Sequence, residues 1–120
     1  MRLEDQVCSL ELAKKLKELG VKQEAAFHWR YSDLLEEWSL FRPTKDVTSS
    51  KPFYAAFTVA ELGELLPNSW EGTEPVDETW ATKPGRWVCS WDNETFYADT
   101  EADARARMMI YLIENGIVKP

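Results

Sequence analysis

The stretch Trp87-Val-Cys-Ser-Trp-Asp-Asn-Glu-Thr-Phe-Tyr-Ala98 decides the fold class. Trp87, Cys89 and Trp91 alternate with Val88 and Ser90, the period of two that puts one set of side chains on a single sheet face. Asp92-Asn93 supplies the positive φ that a tight turn demands, and Glu94 to Ala98 returns as the second arm of a hairpin. Immediately afterwards the period changes. Thr100 and Asp103 read as a capping box, Glu101 and Asp103 lie favourably at the positive end of a helix dipole, and the helix ends before Gly116. Its second half, Met108 to Ile113, is apolar all round, so it must be covered on more than one side. Self-association through Met109 and Ile113 is one way to provide that cover.

The same signals recur towards the N-terminus. Ser9 is a good N-cap, Leu12, Ala13, Leu16 and Leu19 recur at helical spacing, and Gly20 supplies the left-handed residue that ends the helix. From Ala26 to Tyr31 the period is two, with Phe27, Trp29 and Tyr31 on one side. Glu37 to Arg42 reads as a second strand. The link from Ser32 to Glu36 reads either as the turn of a hairpin or as a turn of helix, because Leu34, Leu35 and Trp38 also fit helical spacing. Pro43 to Lys51 is polar and reads as a surface loop. Thr58 and Glu61 form a capping box for a short helix carrying Val59, Leu62, Leu65 and Leu66, which Pro67 ends. Pro67 to Arg86 is irregular, although Thr79 to Thr82 can pair with the strand that begins at Arg86. The order is α-β-β-α-β-β-α. It predicts a single α+β domain over residues 1–120, with an antiparallel sheet of four to five strands and helices packed on one face.

Lys and Arg number 14 against 21 Asp and Glu, a net charge of −7, and a field of that sign disfavours a nucleic-acid partner. The lysines around the first helix, Lys14, Lys15, Lys17 and Lys22, are interrupted by Glu11 and Glu18 and read as a solvated face. A helix-turn-helix beginning at Leu12 fails because strand alternation stands where the recognition helix should follow. No apolar run is long enough to span a bilayer and no signal segment is read at the N-terminus, so no membrane association and a cytoplasmic location are expected.

Catalytic chemistry has little material. His28 is the sole histidine. Cys8 and Cys89 lack metal or redox spacing, and Cys89 between two tryptophans reads as a small buried hydrophobe. Glu71, Glu74, Asp77 and Glu78 cluster on the irregular segment without the spacing of a calcium loop. No catalytic residue, metal or cofactor is therefore expected. Six tryptophans are more informative: Trp29, Trp38, Trp87 and Trp91 fall on strands, whereas Trp70 and Trp80 fall in the irregular segment, where they either close the core or form a recognition surface.

The segments Ser9 to Glu24, Ala56-Phe-Thr-Val-Ala-Glu-Leu-Gly-Glu-Leu-Leu-Pro67 and Glu101 to Gly116 resemble a family of small uncharacterised proteins of phage and prophage genomes. The resemblance covers all three expected helices. It implies a phage-related origin and brings no catalytic residues. The reading that follows is a non-enzymatic protein-interaction module, with a protein or a second copy as partner and Trp70, Trp80, Met109 and Ile113 as the interaction surface. Two alternatives stand beside it. One is a small ligand-binding domain or enzyme with a pocket between the sheet and residues 67–86, built from Trp80, Arg86 and Tyr97; the other is an acidic mimic of nucleic acid that blocks a DNA-binding host protein.

Overall fold

A computed structural model describes residues 2–42, 52–67, 73–75, 87–92 and 94–120. The described elements are α1 (Leu3–Gln6), α2 (Leu10–Glu18), β1 (His28–Ser32), β2 (Glu37–Phe41), β3 (Phe53–Ala55), α3 (Val59–Leu65), β4 (Thr73–Pro75), β5 (Trp87–Trp91), β6 (Glu94–Ala98) and α4 (Glu101–Glu114). The class is α+β with antiparallel sheets, as the alternation of periods predicts. One sheet of four to five strands, however, is not what forms. The strands divide into two three-stranded sheets, ordered β2-β1-β3 and β4-β5-β6. The division arises because Phe53–Ala55, an apolar run without clear alternation, pairs with β1 (His28 opposite Ala55, Arg30 opposite Phe53) and completes the first sheet by itself. The order gains α1, β3 and β4. The segment from Ser32 to Glu36 is a hairpin turn, with Ser32 opposite Glu37 and His28 opposite Phe41.

Helix ends follow the local chemistry closely. Gly20 and Gly116 take φ of +96° and +70°, the left-handed conformation that stops α2 and α4. The Thr58 hydroxyl accepts from the Glu61 amide at 3.2 Å, and the Glu61 carboxylate accepts from the Thr58 amide at 2.9 Å, a complete capping box. At α4 only half of the expected box forms. Thr100 accepts from the Asp103 amide at 3.1 Å, but the Asp103 carboxylate turns away and accepts the Ser9 amide at 2.6 Å. Ser9 does not cap α2 with its own side chain. The carboxylate from α4 satisfies that helix start instead.

Helix α4 is the centre of the core. Its Ala102, Ala104, Ala106, Met108, Met109 and Leu112 are buried. It packs against β4, β5 and β6 and also against α1, α2 and α3. Arg105 reinforces the second contact by donating to the Val59 carbonyl at 2.7 Å and pairing with Glu101 at 3.1 Å. The cover that an all-round apolar helix demands comes from the chain itself.

Candidate functional site

The first sheet presents two half-covered faces. The register places Trp29, Tyr31, Trp38, Leu40 and Tyr54 on one of them. The rings run as a ladder: Tyr31 meets Trp38 edge-on at 5.8 Å, and Trp38 meets Tyr54 at 5.7 Å. Helix α2 lays two ammonium groups along this ladder. Lys14 Nζ lies 5.1 Å from the Trp38 ring, and Lys17 Nζ lies 5.0 Å from Tyr54, distances at which a cation is attracted to an aromatic face. Trp29 anchors the inner end by donating from Nε1 to the Cys8 carbonyl at 2.9 Å.

His28, Arg30, Phe41 and Phe53 share the other face. His28 stacks on Phe53 with ring centroids 4.6 Å apart, Arg30 lies 5.8 Å over Phe41, and Arg42, just beyond β2, lies 5.5 Å over Phe27. Burial pushes the His28 imidazole below its ordinary value, with Arg30 and Lys17 acting in the same direction, while a hydrogen bond with the Gln23 backbone and the charge of Glu61 oppose the shift. Its Nε2 is buried without a hydrogen-bond partner among the described residues. A neutral, enclosed imidazole of this kind stabilises packing and is poorly placed to exchange protons with a substrate.

The hairpin that joins β1 to β2 ends in solvent. Leu34 is 91% exposed and Leu35 60%, and Glu36 holds a φ of +53°, which favours glycine. Tyr31 and Phe41 are also exposed. The two edges of the sheet differ. On β3, Lys17 Nζ donates to the Phe53 carbonyl at 2.7 Å and the Gln23 side chain accepts the Ala55 amide at 2.8 Å, so side chains close that edge. Among the described residues no strand pairs with the outer edge of β2.

The residues singled out from sequence are scattered. Trp70, Trp80 and Arg86, together with Glu71, Asp77 and Glu78, lie outside the described residues, and Glu74 is described only through the backbone of β4. The pocket expected beside residues 67–86, and the expected pairing of Thr79 to Thr82, therefore lie outside them as well. Met109 is 2% exposed within the chain's own core and Ile113 packs partly buried against it, so Met109 offers no surface to a second copy. Both cysteines are buried, and burial pushes the thiols of Cys8 and Cys89 up to about 12, far from the range of a reactive thiolate. No group of three or more His, Cys, Asp or Glu among the described residues is gathered to hold a metal ion. The exposed hairpin residues were legible only in part: a Leu34-Leu35 pair where a turn favours Gly, Asn or Asp was the available signal.

The two sheets, with α4 packed against β4–β6 and against the other helices, define a small α+β domain whose exposed large hydrophobics gather mostly on the β1–β2 hairpin. Comparison of the chain with family models, with curated proteins and with solved structures finds no match.

Proposed function

We propose that this chain is a non-enzymatic protein-interaction module of phage or prophage type, and that it engages its partner through the β1–β2 hairpin. One observation carries the reading. Of the seven exposed large hydrophobics among the described residues, Tyr31, Leu34, Leu35 and Phe41 belong to this hairpin, so the apolar surface is concentrated on one projection instead of being scattered singly. Burying Leu34 and Leu35 stabilises a complex by about 3 kcal/mol, roughly a third of what a micromolar affinity requires. The adjoining rings of Tyr31 and Trp38 supply rigid contact area of the type that anchors interfaces.

A cytoplasmic site of action belongs to the same reading. It is supported by the finding that no described helix is long and apolar enough to cross a membrane. The test is affinity capture from cells carrying the gene, comparing wild type with a Leu34→Ser/Leu35→Ser variant of equal thermal stability. A protein partner retained by wild type and lost by the variant is the expected result. Equal retention by both proteins, or a melting temperature raised by a metabolite while no protein is captured, overturns the proposal.

A further inference from the structure

We infer that the open edge of β2 pairs with the β2 strand of a second copy of this chain, antiparallel about a two-fold axis through Ser39, joining two first sheets into one six-stranded sheet. The inference rests on the hairpin being the interaction surface and names its partner.

Edge strands invite such pairing unless a protein blunts them with lysine, proline, a bulge or a cover. In Glu37-Trp-Ser-Leu-Phe41 the one charge is Glu37 at the first position, there is neither lysine nor proline, and the unbroken register with β1 leaves no bulge. Nature has closed the opposite edge, on β3, with Lys17 and Gln23. β2 has no comparable cover among the described residues.

The strand is also complementary to itself. Antiparallel pairing centred on Ser39 sets Trp38 opposite Leu40 of the second copy, an aromatic–aliphatic pair of the type that stabilises adjacent strands. One step beyond each end, it brings Glu36 to Arg42 of the second copy, and the symmetry repeats this charge pair. On the other face, Glu37 falls opposite Phe41 of the second copy, over which the Arg30 guanidinium already lies at 5.8 Å. Glu36 thus meets Arg42, and Glu37 comes to the Phe41 ring that Arg30 covers. The edges of the second sheet lack this property. β6 begins with Glu94 just after Asp92 and is followed by Asp99 and Glu101, with no base between Asp92 and Glu101, so antiparallel pairing with itself brings acidic ends together with nothing to offset them. β4 has three residues and ends in Pro75.

Sedimentation velocity of the full chain over a concentration series, at low and high NaCl, provides the test. Wild type is expected to dimerise, with a dimer that weakens as salt rises. The single variants Glu36→Arg and Arg42→Glu are each expected to weaken the dimer about tenfold, because each reverses two symmetric charge pairs. The double variant Glu36→Arg/Arg42→Glu restores the pairs and is expected to return the dissociation constant to within about twofold of wild type. Leu40→Lys adds a charged blocker at the edge and is expected to give a monomer with an unchanged circular dichroism spectrum; if it does not fold, the charge swap decides alone. Additive weakening in the double variant, or a dimer indifferent to both single changes, overturns the inference. A monomeric wild type that still captures a host protein through Leu34 and Leu35 also overturns it, while leaving the hairpin reading intact; a monomer with no hairpin-dependent partner removes both.

Discussion

His28, enclosed on its strand, is expected to tie the stability of the folded protein to pH. Its ring is stacked on Phe53, and its Nε2 is buried without a partner. The folded protein therefore resists protonating it, and its value lies below the ordinary 6.5. Above 6.5 the imidazole is neutral in both folded and unfolded chains, so it adds no pH dependence. As pH falls through 6.5 the unfolded chain takes up a proton that the folded chain refuses, and stability is lost until the lowered folded value is reached. His28→Phe keeps a ring against Phe53 and removes the titration. The expected outcome is that wild type loses melting temperature relative to His28→Phe between about pH 7.5 and 5.5, the interval that brackets an ordinary imidazole. A difference between the two proteins that stays constant with pH sinks the account. The sequence offered this histidine only as a lone ring on a strand. Its surroundings include Phe53 and the Gln23 backbone, which lie outside the stretch where period-two alternation is read.

At the scale of elements, local signals were legible and long-range ones were not. Thr58 and Glu61 sit three residues apart and close the capping box that their spacing announces. Asp103 was legible as an acid in a first turn, but its actual acceptor role lies 94 residues away at Ser9, where no spacing rule reaches. The 2.6 Å hydrogen bond joins the start of α4 to the start of α2. Burial raises the Asp103 carboxyl above its ordinary value, while the Ser9 hydrogen bonds and the charge of Arg107 pull it down. The net sign is opposite to that of His28: the folded chain takes up this proton at a higher pH than the unfolded chain, so this group favours folding more as pH falls. Asp103→Ala leaves the Ser9 amide without its acceptor and is expected to cost about 2 kcal/mol in urea unfolding. Asp103→Asn keeps an acceptor oxygen and is expected to cost less than half of that. Equal losses in the two variants would show that the carboxylate acts through its charge and not through the hydrogen bond.

Across the whole molecule, the division into two sheets follows from what each strand pair can reach. The β5–β6 hairpin packs directly and extensively on α4, whereas β1 packs mainly on β2 and β3, and β3 leans on α2, which packs on α4. The expectation of a single sheet failed here, because hairpin signals identify neighbouring strands and are silent about which hairpins share a sheet. Helix α4 was better foretold: an apolar circumference from Met108 to Ile113 requires cover on two sides, and the second cover turned out to be the chain's own helices. This shared helix is expected to make the two sheets one cooperative unit, since both layers pack on or next to α4. Leu112 is fully buried in that helix. Leu112→Ala removes three buried carbons and opens a cavity, for an expected loss of about 3 kcal/mol. Hydrogen exchange resolves the consequence: amides of β1 and of β5 should lose protection by the same amount, although Leu112 belongs to neither sheet. Protection lost in β5 alone would make the first sheet a separate folding unit that merely leans on α2.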